Sequence, residues 1–445
     1  SEVYENSPSQ KAGLKPGDQI LSVDSKIIEN KSIEDISQLL KGAPGTILVL
    51  KIKDAFTNDE TLKTITRGEI EITSVPYSAL IGENSDIAFV KLTQFTMGCS
   101  RLVKSNLDSL KVKNPNLKGV VLDLRSNPGG LLDEAVGVCN LFLDKGQLVV
   151  VTRGKMKEMV KEYKTPSAAW DTKIPLVVLV NGSSASASEI VAGTMQDLDR
   201  GVIIGNRSFG KGLVQVTKEL GYNARLKLTV AKYYTPSGRC IQAIDYSHRN
   251  SNGGADKMPD SLKSSYTTKA GRKVMSGGGI EPDIKINDDD LSKLALVLYT
   301  KHFIFDFATL FAKDHKNISQ ASSFQMTDAE FNDFTKYLQN KDYSYKTETE
   351  IALDSLKQIA SRENYFEAIK TEYIALEGKL SHDKQKDLMK NKAEIKQLLE
   401  SEITSRYYFQ KGRIAQGLQY DKDVIKANSI LSNNSNYSGL LQAKK

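Results

Sequence analysis

The chain has few of the residues that build disulfide frameworks, metal centres or membrane spans. Its three cysteines, Cys99, Cys139 and Cys240, are far apart and odd in number, which excludes a disulfide scaffold and any Cys-x-x-Cys pair for metal or redox work. Buried free thiols are the expectation. Histidine is scarce too: there are four, His248, His302, His315 and His382, and none stands beside a strand end where strands and helices alternate. A Ser-His-Asp arrangement would have to bring one in from a loop or a helical region. No apolar run approaches the roughly 18 to 20 residues of a membrane-spanning helix; "LALVLY" near residue 294 is typical of the longest. An integral membrane protein is therefore not expected from the chain as given. An excess of one charge is also lacking, since 61 Lys plus Arg stand against 54 Asp plus Glu, a net +7 with the signs interleaved. That balance gives no basis for a nucleic-acid partner. The opening "SEVYENSPSQKAGLKPGD" has neither an initiating Met nor a charged-then-apolar leader, and reads as a trimmed fragment whose location is not directly legible.

What is present is a 445-residue chain, 40% apolar and 26% charged, the composition of a soluble globular protein of two or three domains. The first is small and β-rich. In "SPSQKAGLKPGDQILSVDSKII" a turn built from Gly13, Pro16 and Gly17 leads into a strand carrying Ile20, Leu21 and Val23. "SIEDISQLLKGAPG" then places Ile33, Ile36, Leu39 and Leu40 at helical spacing before a Gly-Pro stop, and "TILVLKIKD" returns as a strand. This order, with the phrase "AGLKPGDQI", resembles a PDZ domain of the bacterial type over about residues 3 to 53. The glycine-rich strand with which such domains hold a peptide carboxylate normally lies earlier, so the expectation is a PDZ domain over residues 1–70 with its first strand missing.

From about residue 86 to 240 strand and helix alternate. "IAFVKL", "GVVLDL", "QLVVVT", "PLVVLV" and "GVIIG" are short β-branched runs, separated by helix-like segments such as "CSRLVKSNLDSLKVK", "LDEAVGVCNLFL" and "SASEIVAGTMQDL". The pattern predicts an α/β layer fold over residues 71–290 with a mainly parallel sheet, its ligands met at the strand ends. Beyond 290, apolar positions from Leu353 through Leu356, Ile359, Phe366, Ile369, Tyr373 and Leu376 to Leu380 recur at spacings near three and four amid Lys and Glu. Without sustained heptads this predicts an amphipathic helical layer packed on the rest, over residues 291–445, in preference to a coiled coil or an independent binding tail.

Chemistry concentrates at one junction. "NGSSASASEIVAG" packs Ser183, Ser184, Ser186 and Ser188 among glycine and alanine just where the run "IPLVVLV" ends and a helix begins. A serine attacking a carbonyl needs close backbone approach and a free N–H at the helix start for the oxyanion. Downstream, "GNRSFGKGLVQV" turns through Gly205 and Gly210 toward a strand on which Lys211 and Gln215, four apart, share a face. A helix from about 186 to 199 leads about 20 Å away at 1.5 Å per residue, and the residues after it are enough to bring Lys211 back to Ser186. Lysine acts as a base only when its amine is neutral, the form that desolvation favours, and the glycine-flanked, apolar setting of Lys211 suits that. Gln215 would accept from the amine without stabilising its charge. "DLRSNPGG" supplies a second glycine turn at Gly129 and Gly130 after a strand end. Taken alone, Ser186-Ala-Ser-Glu189 is also a capping box, Lys211 a solvated lysine and "SNPGG" an ordinary turn.

The five motifs "DLRSNPGG", "NGSSASASEIVAG", "GNRSFGKGLVQ", "YYTPSGRCIQ" and "SGGGIEPD", spanning residues 123 to 283, resemble in order and spacing those of the C-terminal processing, or tail-specific, proteases of peptidase family S41. The resemblance implies a crotonase/ClpP-like α/β core, Ser186 as nucleophile, Lys211 as general base and Gln215 orienting the lysine. It also implies an oxyanion hole from the N–H of Ala187 and one from the glycine turn, Gly130 with Gly129 left open. It further implies an ATP-independent endopeptidase acting on proteins or peptides with a free C-terminus, without metal or organic cofactor, periplasmic or envelope-associated in a bacterium, its oligomeric state open. The stretch "RYYFQKGRIAQGLQYDKDVIKA" resembles the extension of longer family members in Bacteroidetes-like bacteria. Two rivals remain, a catalytically silent PDZ scaffold and a non-peptidase acyl hydrolase or ligand carrier on a related core.

Overall fold

The computed structural model describes residues 2–55, 57–70, 72–249, 252–287, 291–380 and 384–443. The chain folds as two compact units, one formed by Ser1–Glu71 with Asp289–Tyr420, the other by Ile72–Asp288 with Asp421–Lys445.

The second unit is organised by a six-stranded sheet in the order Ile284–Lys285, Val202–Gly205, Leu176–Val180, Gly119–Asp123, Ile87–Lys91, Tyr77–Ile81. Its neighbours run parallel except for the last pair. The central runs are apolar throughout because both faces are covered. Val120, Leu122, Val178, Val180 and Ile203 enter one core with Val103 and Leu107 of helix Cys99–Lys113 and with Ile190, Val191 and Met195 of helix Ala187–Asp197. The alternate residues Val121, Val177, Leu179, Val202 and Ile204 are equally buried and point to the opposite face. There the helix Lys422–Leu431 lies against the same three strands, burying Val424, Ala427, Ile430 and Leu431. Each of its larger apolar side chains contributes about 1.5–3 kcal/mol when fully buried. Gly119 leaves the room this needs: a Cβ there would stand 2.8 Å from a Leu431 methyl. Beyond the helix, the Tyr437 hydroxyl accepts from Leu176 N at 3.0 Å and lies 3.2 Å from Arg200 O.

A second, antiparallel sheet has the order Leu213–Gly221, Ala224–Tyr234, Leu148–Gly154, Lys161–Lys164. The run "QLVVVT", expected among the parallel strands, belongs here and pairs with Tyr233 and Tyr234. An apolar run of this length suits either sheet, and long-range pairing decides between them.

In the first unit, strands Lys26–Ile27, Gln19–Val23, Ile47–Lys53 and Glu60–Thr66 form an antiparallel sheet in that order. Helix Ile33–Leu40, capped by Ser32, places Ile36, Leu39 and Leu40 on its core of Val23, Leu48, Leu50 and Ile52. The helical part packs Lys293–Thr300, Phe303–Asp314, Asp328–Tyr337 and the first half of Lys392–Gly417 around Leu298, Phe307, Phe331, Phe334, Leu399 and Ile403. Helices Glu348–Arg362 and Phe366–Leu380 pack chiefly on each other. Leu353 and Tyr373 are buried, but Leu356, Ile359 and Leu376 stay exposed, so this pair is less covered than a helical layer implies. Among the described residues no single helix is long and apolar enough to cross a membrane.

Candidate active site

Three neighbouring strands of the parallel sheet, Val202–Gly205, Leu176–Val180 and Gly119–Asp123, end side by side. The three turns that follow them are "NRSFGKG", "NGSSAS" and "LRSNPGG". Motifs far apart in sequence thus share the carboxyl end of one sheet, where α/β folds meet their ligands.

The four serines of the middle turn are not equivalent. Ser184 is buried, and its hydroxyl donates to Leu124 O at 2.8 Å while accepting from Asn181 N at 2.9 Å. Ser188 is buried too and donates to Asn127 O at 2.9 Å, whereas Ser183 is an exposed turn residue. Ser186 stands at the start of helix Ala187–Asp197 with φ 57° and ψ −112°, a sparsely populated conformation costing about 1–3 kcal/mol. A sharp strand-to-helix turn of this kind presents a serine hydroxyl clear of the sheet. That hydroxyl meets the phenol of Tyr233, whose pKa burial pushes up and the Ser186 hydrogen bond partly draws back.

Glu189 gathers the site. It is fully buried, and one carboxylate oxygen accepts from Ser186 N at 2.9 Å and Lys211 N at 2.8 Å, so these two backbone nitrogens are neighbours. The other oxygen accepts from Gly210 N at 2.7 Å and Ser208 Oγ at 2.6 Å. Burial pushes the carboxyl's pKa up, against the pull of these four donors. The reach-back to Ser186 N is the one a capping box requires, but the same carboxylate also fixes the lysine turn.

Lys211 is held by the backbone on both sides. Gly210 O accepts from Ala243 N at 2.9 Å, Gly212 N donates to Gln242 Oε1 at 2.7 Å, and Gly212 O accepts from Tyr233 N at 2.8 Å. Both glycines are needed, because a Cβ on Gly210 would collide with that of Ala243 and one on Gly212 would lie 2.7 Å from Gln242 N. Lys211 is half-buried, and its ammonium has no hydrogen bond or ion pair among the described residues. No hydrogen bond joins it to Ser186 Oγ there either. Gln215 is not brought to Lys211. Lys211 precedes strand Leu213–Gly221, on which Gln215 is exposed, and no hydrogen bond joins the two side chains among the described residues, so strand alternation does not relate the two.

The third turn comes up against the serine. A Cβ on Gly129, where φ is 100°, would stand 2.8 Å from Ser186 Cβ and 2.9 Å from Ala187 N. Buried Asn127 shapes the turn, donating to Leu92 O at 2.8 Å and accepting from Gly129 N at 2.9 Å. Gly129 N is thereby engaged, whereas Gly130 N and Ala187 N donate to nothing among the described residues.

Asn127, Glu189, Ser208 and Tyr233 are the residues that sequence reasoning left without a site role. All lie within or beside the quoted motifs, and the four-way demand on Glu189 had no sequence signal beyond its capping position. His302 and His315 belong to the helical part, His315 stacked on Phe311 at 3.9 Å; His382 and the side chain of His248 lie outside the described residues. All three cysteines are free, Cys99 and Cys139 buried and Cys240 half-buried.

Comparison with known proteins places these features in a class. Residues 86–247 match peptidase family S41, residues 1–54 match a PDZ domain, and residues 294–431 match the C-terminal helical domain of probable PDZ-proteases. The central domain therefore belongs to peptidase family S41, preceded by a PDZ domain and followed by a helical domain. A carboxy-terminal-processing protease of Bartonella bacilliformis is 42% identical over 243 residues, covering 54% of this chain and 55% of the relative. The carboxy-terminal processing protease CtpA of Bacillus subtilis is 37% identical over 237 residues, covering 53% and 49%. The chain spans about half the length of the curated relatives it matches. Among solved structures, a photosystem II D1 C-terminal processing protease is similar at 26% identity with a TM-score of 0.38, over 64% of this chain and 67% of that one.

Proposed function

We propose that the chain is an ATP-independent serine endopeptidase that cuts protein substrates near a free C-terminus, working from the bacterial periplasm or envelope. The observation that carries this reading is the single Glu189 oxygen shared by Ser186 N and Lys211 N, which holds a strained serine and an unpaired lysine as neighbours. Ser186 Oγ turns from Tyr233 toward Lys211, gives its proton to the neutral amine and attacks the substrate carbonyl. The oxyanion that forms is held by Ala187 N–H and Gly130 N–H. Lys211 then protonates the leaving amine, and water hydrolyses the acyl-enzyme by the same route in reverse. Gln215 is kept as the residue that orients Lys211, the role the family resemblance gives it.

The relatives' names support the reaction class, and the PDZ domain suits capture of an extended chain end. The test is cleavage of unfolded casein by Ser186→Ala and Lys211→Ala, each expected to lose activity by about 10⁴-fold or more because the two act as one unit. Lys211→Arg is not expected to rescue, since guanidinium stays protonated. Retained cleavage by Ser186→Ala would refute the assignment, and a wild type that neither cleaves casein nor reacts with a serine-directed phosphonate would favour a silent scaffold.

A further inference from the structure

Arg125 is the third residue of "DLRSNPGG" and lies at the root of the turn that carries Gly129 and Gly130. Its five guanidinium hydrogens are all engaged. Nε donates to Asp123 Oδ1 and Nη2 to Asp123 Oδ2, each at 2.9 Å. Nη1 donates to Asp421 Oδ1 and Asp423 Oδ2, each at 2.9 Å, and Nη2 also to Asp421 Oδ2 at 2.6 Å. Asp123 takes Lys91 as a further partner at 2.9 Å. Two of the three carboxylates thus come from a segment nearly 300 residues downstream, the start of helix Lys422–Leu431, whose first turn Asp421 also caps by accepting from Val424 N at 3.2 Å.

An ion cluster needed only to fasten that helix has no reason to close on the strand-to-turn corner of the candidate oxyanion loop. The helix is already seated by four buried apolar residues, and Tyr437 fastens the segment after it. From the corner, rigid links lead to the glycines. Arg125 N donates to Asp123 Oδ1 at 2.9 Å, Ser126 N to Asn181 Oδ1 at 2.8 Å, and Asn127 Oδ1 holds Gly129 N. Bidentate guanidinium–carboxylate pairs fix planes as well as distances, which is what a loop presenting one N–H to a developing charge requires.

We propose that Asp421 and Asp423, through Arg125, are positioning residues for the oxyanion loop, so that the chain's last segment completes the catalytic site of the S41 domain. The inference rests on the reading of Ser186 and Lys211 given above and adds the residues that set its loop.

The test uses the full chain carrying Asp421→Asn together with Asp423→Asn, which keep shape and remove charge, with Arg125→Lys as a second variant. Four quantities are read: kcat and KM on a quenched-fluorescent peptide, affinity for a peptide boronate that forms a tetrahedral adduct with the serine, and the thermal midpoint. The expected result is a fall in kcat of about tenfold or more, KM within about twofold, boronate affinity falling in step with kcat, and Asp421→Glu recovering part of the loss. Unchanged kcat, a change confined to KM, or a loss that only follows a lowered thermal midpoint would each overturn the proposal. If the wild type is active and Ser186-dependent, such a result leaves the reading of the site intact. Activity surviving Ser186→Ala would refute that reading instead.

Discussion

At the scale of single residues, the site is defined by which hydroxyl is left over. Ser184 and Ser188 are tied to the carbonyls of Leu124 and Asn127, Ser183 is exposed on the turn, and Ser186 at the helix start is the serine proposed for the chemistry. The distinction is measurable. Ser188→Ala should keep most of the cleavage activity. Ser184→Ala should also keep the chemistry but lower stability by about 1–3 kcal/mol, because it leaves Asn181 N and Leu124 O without their buried partner. Urea denaturation and casein cleavage of the two variants check this, and loss of cleavage in a fully folded Ser188→Ala would show that the wrong serine has been chosen. The turns that carry Ser186 and Lys211 are legible in the sequence because small residues and glycines bracket them. Glu189 was legible only as a helix cap, since nothing in one sequence says that a second turn will arrive to share its carboxylate. Alternation relates Gln215 to Lys211 only if both lie on one strand, and strand Leu213–Gly221 begins after Lys211, a boundary that the residue pattern does not mark.

Among the elements, the parallel strands and their turns do most to build the site. The turn glycines are needed for contact more than for flexibility, and two of them separate these effects. Gly129 and Gly146 both have positive φ, 100° and 84°, but a Cβ on Gly146 meets nothing within 4 Å while one on Gly129 meets Ser186 and Ala187. Gly146→Ala should lose about 1 kcal/mol of stability from backbone strain, Gly129→Ala more because its Cβ also collides with its neighbours, and only Gly129→Ala should lose cleavage, by about 100-fold or more. Equal activity in the two would place the oxyanion loop elsewhere. The strand end also predicts acid sensitivity. Burial raises the pKa of Asp123, but Arg125 and Lys91 outweigh it and hold the carboxyl down to about 2. A carboxyl depressed in the folded state stabilises fully above its unfolded value near 3.9, and that contribution is lost as pH falls through about 2. The S41 unit should therefore lose about 2 kcal/mol from this group between about pH 4 and pH 2. Lys91→Met should shrink that loss when urea midpoints are compared across the range.

For the whole molecule, composition changes near residues 70 and 290 but not near 420, where the chain passes from one compact unit to the other. The helical character of the chain's end was plain from spacing, but amphipathic spacing says only that one face is apolar, not what covers it. Helices Glu348–Arg362 and Phe366–Leu380 turn that face largely on each other, whereas helix Lys422–Leu431 turns it onto the parallel sheet. The signal lay in the sheet, where Val121, Val177 and Leu179 are as apolar as their neighbours and so required a second covering layer. Because the last segment belongs to the S41 unit, its loss should be felt there. The chain's one tryptophan, Trp170, lies in that unit, its indole donating to Asp108 at 2.7 Å, so its fluorescence in urea follows the S41 unit. Tyr437→Phe deprives the buried Leu176 N of its partner and should lower the stability read by Trp170 by about 1–3 kcal/mol. Leu50→Ala, a cavity in the PDZ core, should leave the Trp170 transition in place while destabilising its own unit. A Trp170 transition unmoved by Tyr437→Phe would mean that the chain's last segment is not part of the S41 fold, and that the strand ends carrying Ser186 and Gly129 are supported without it.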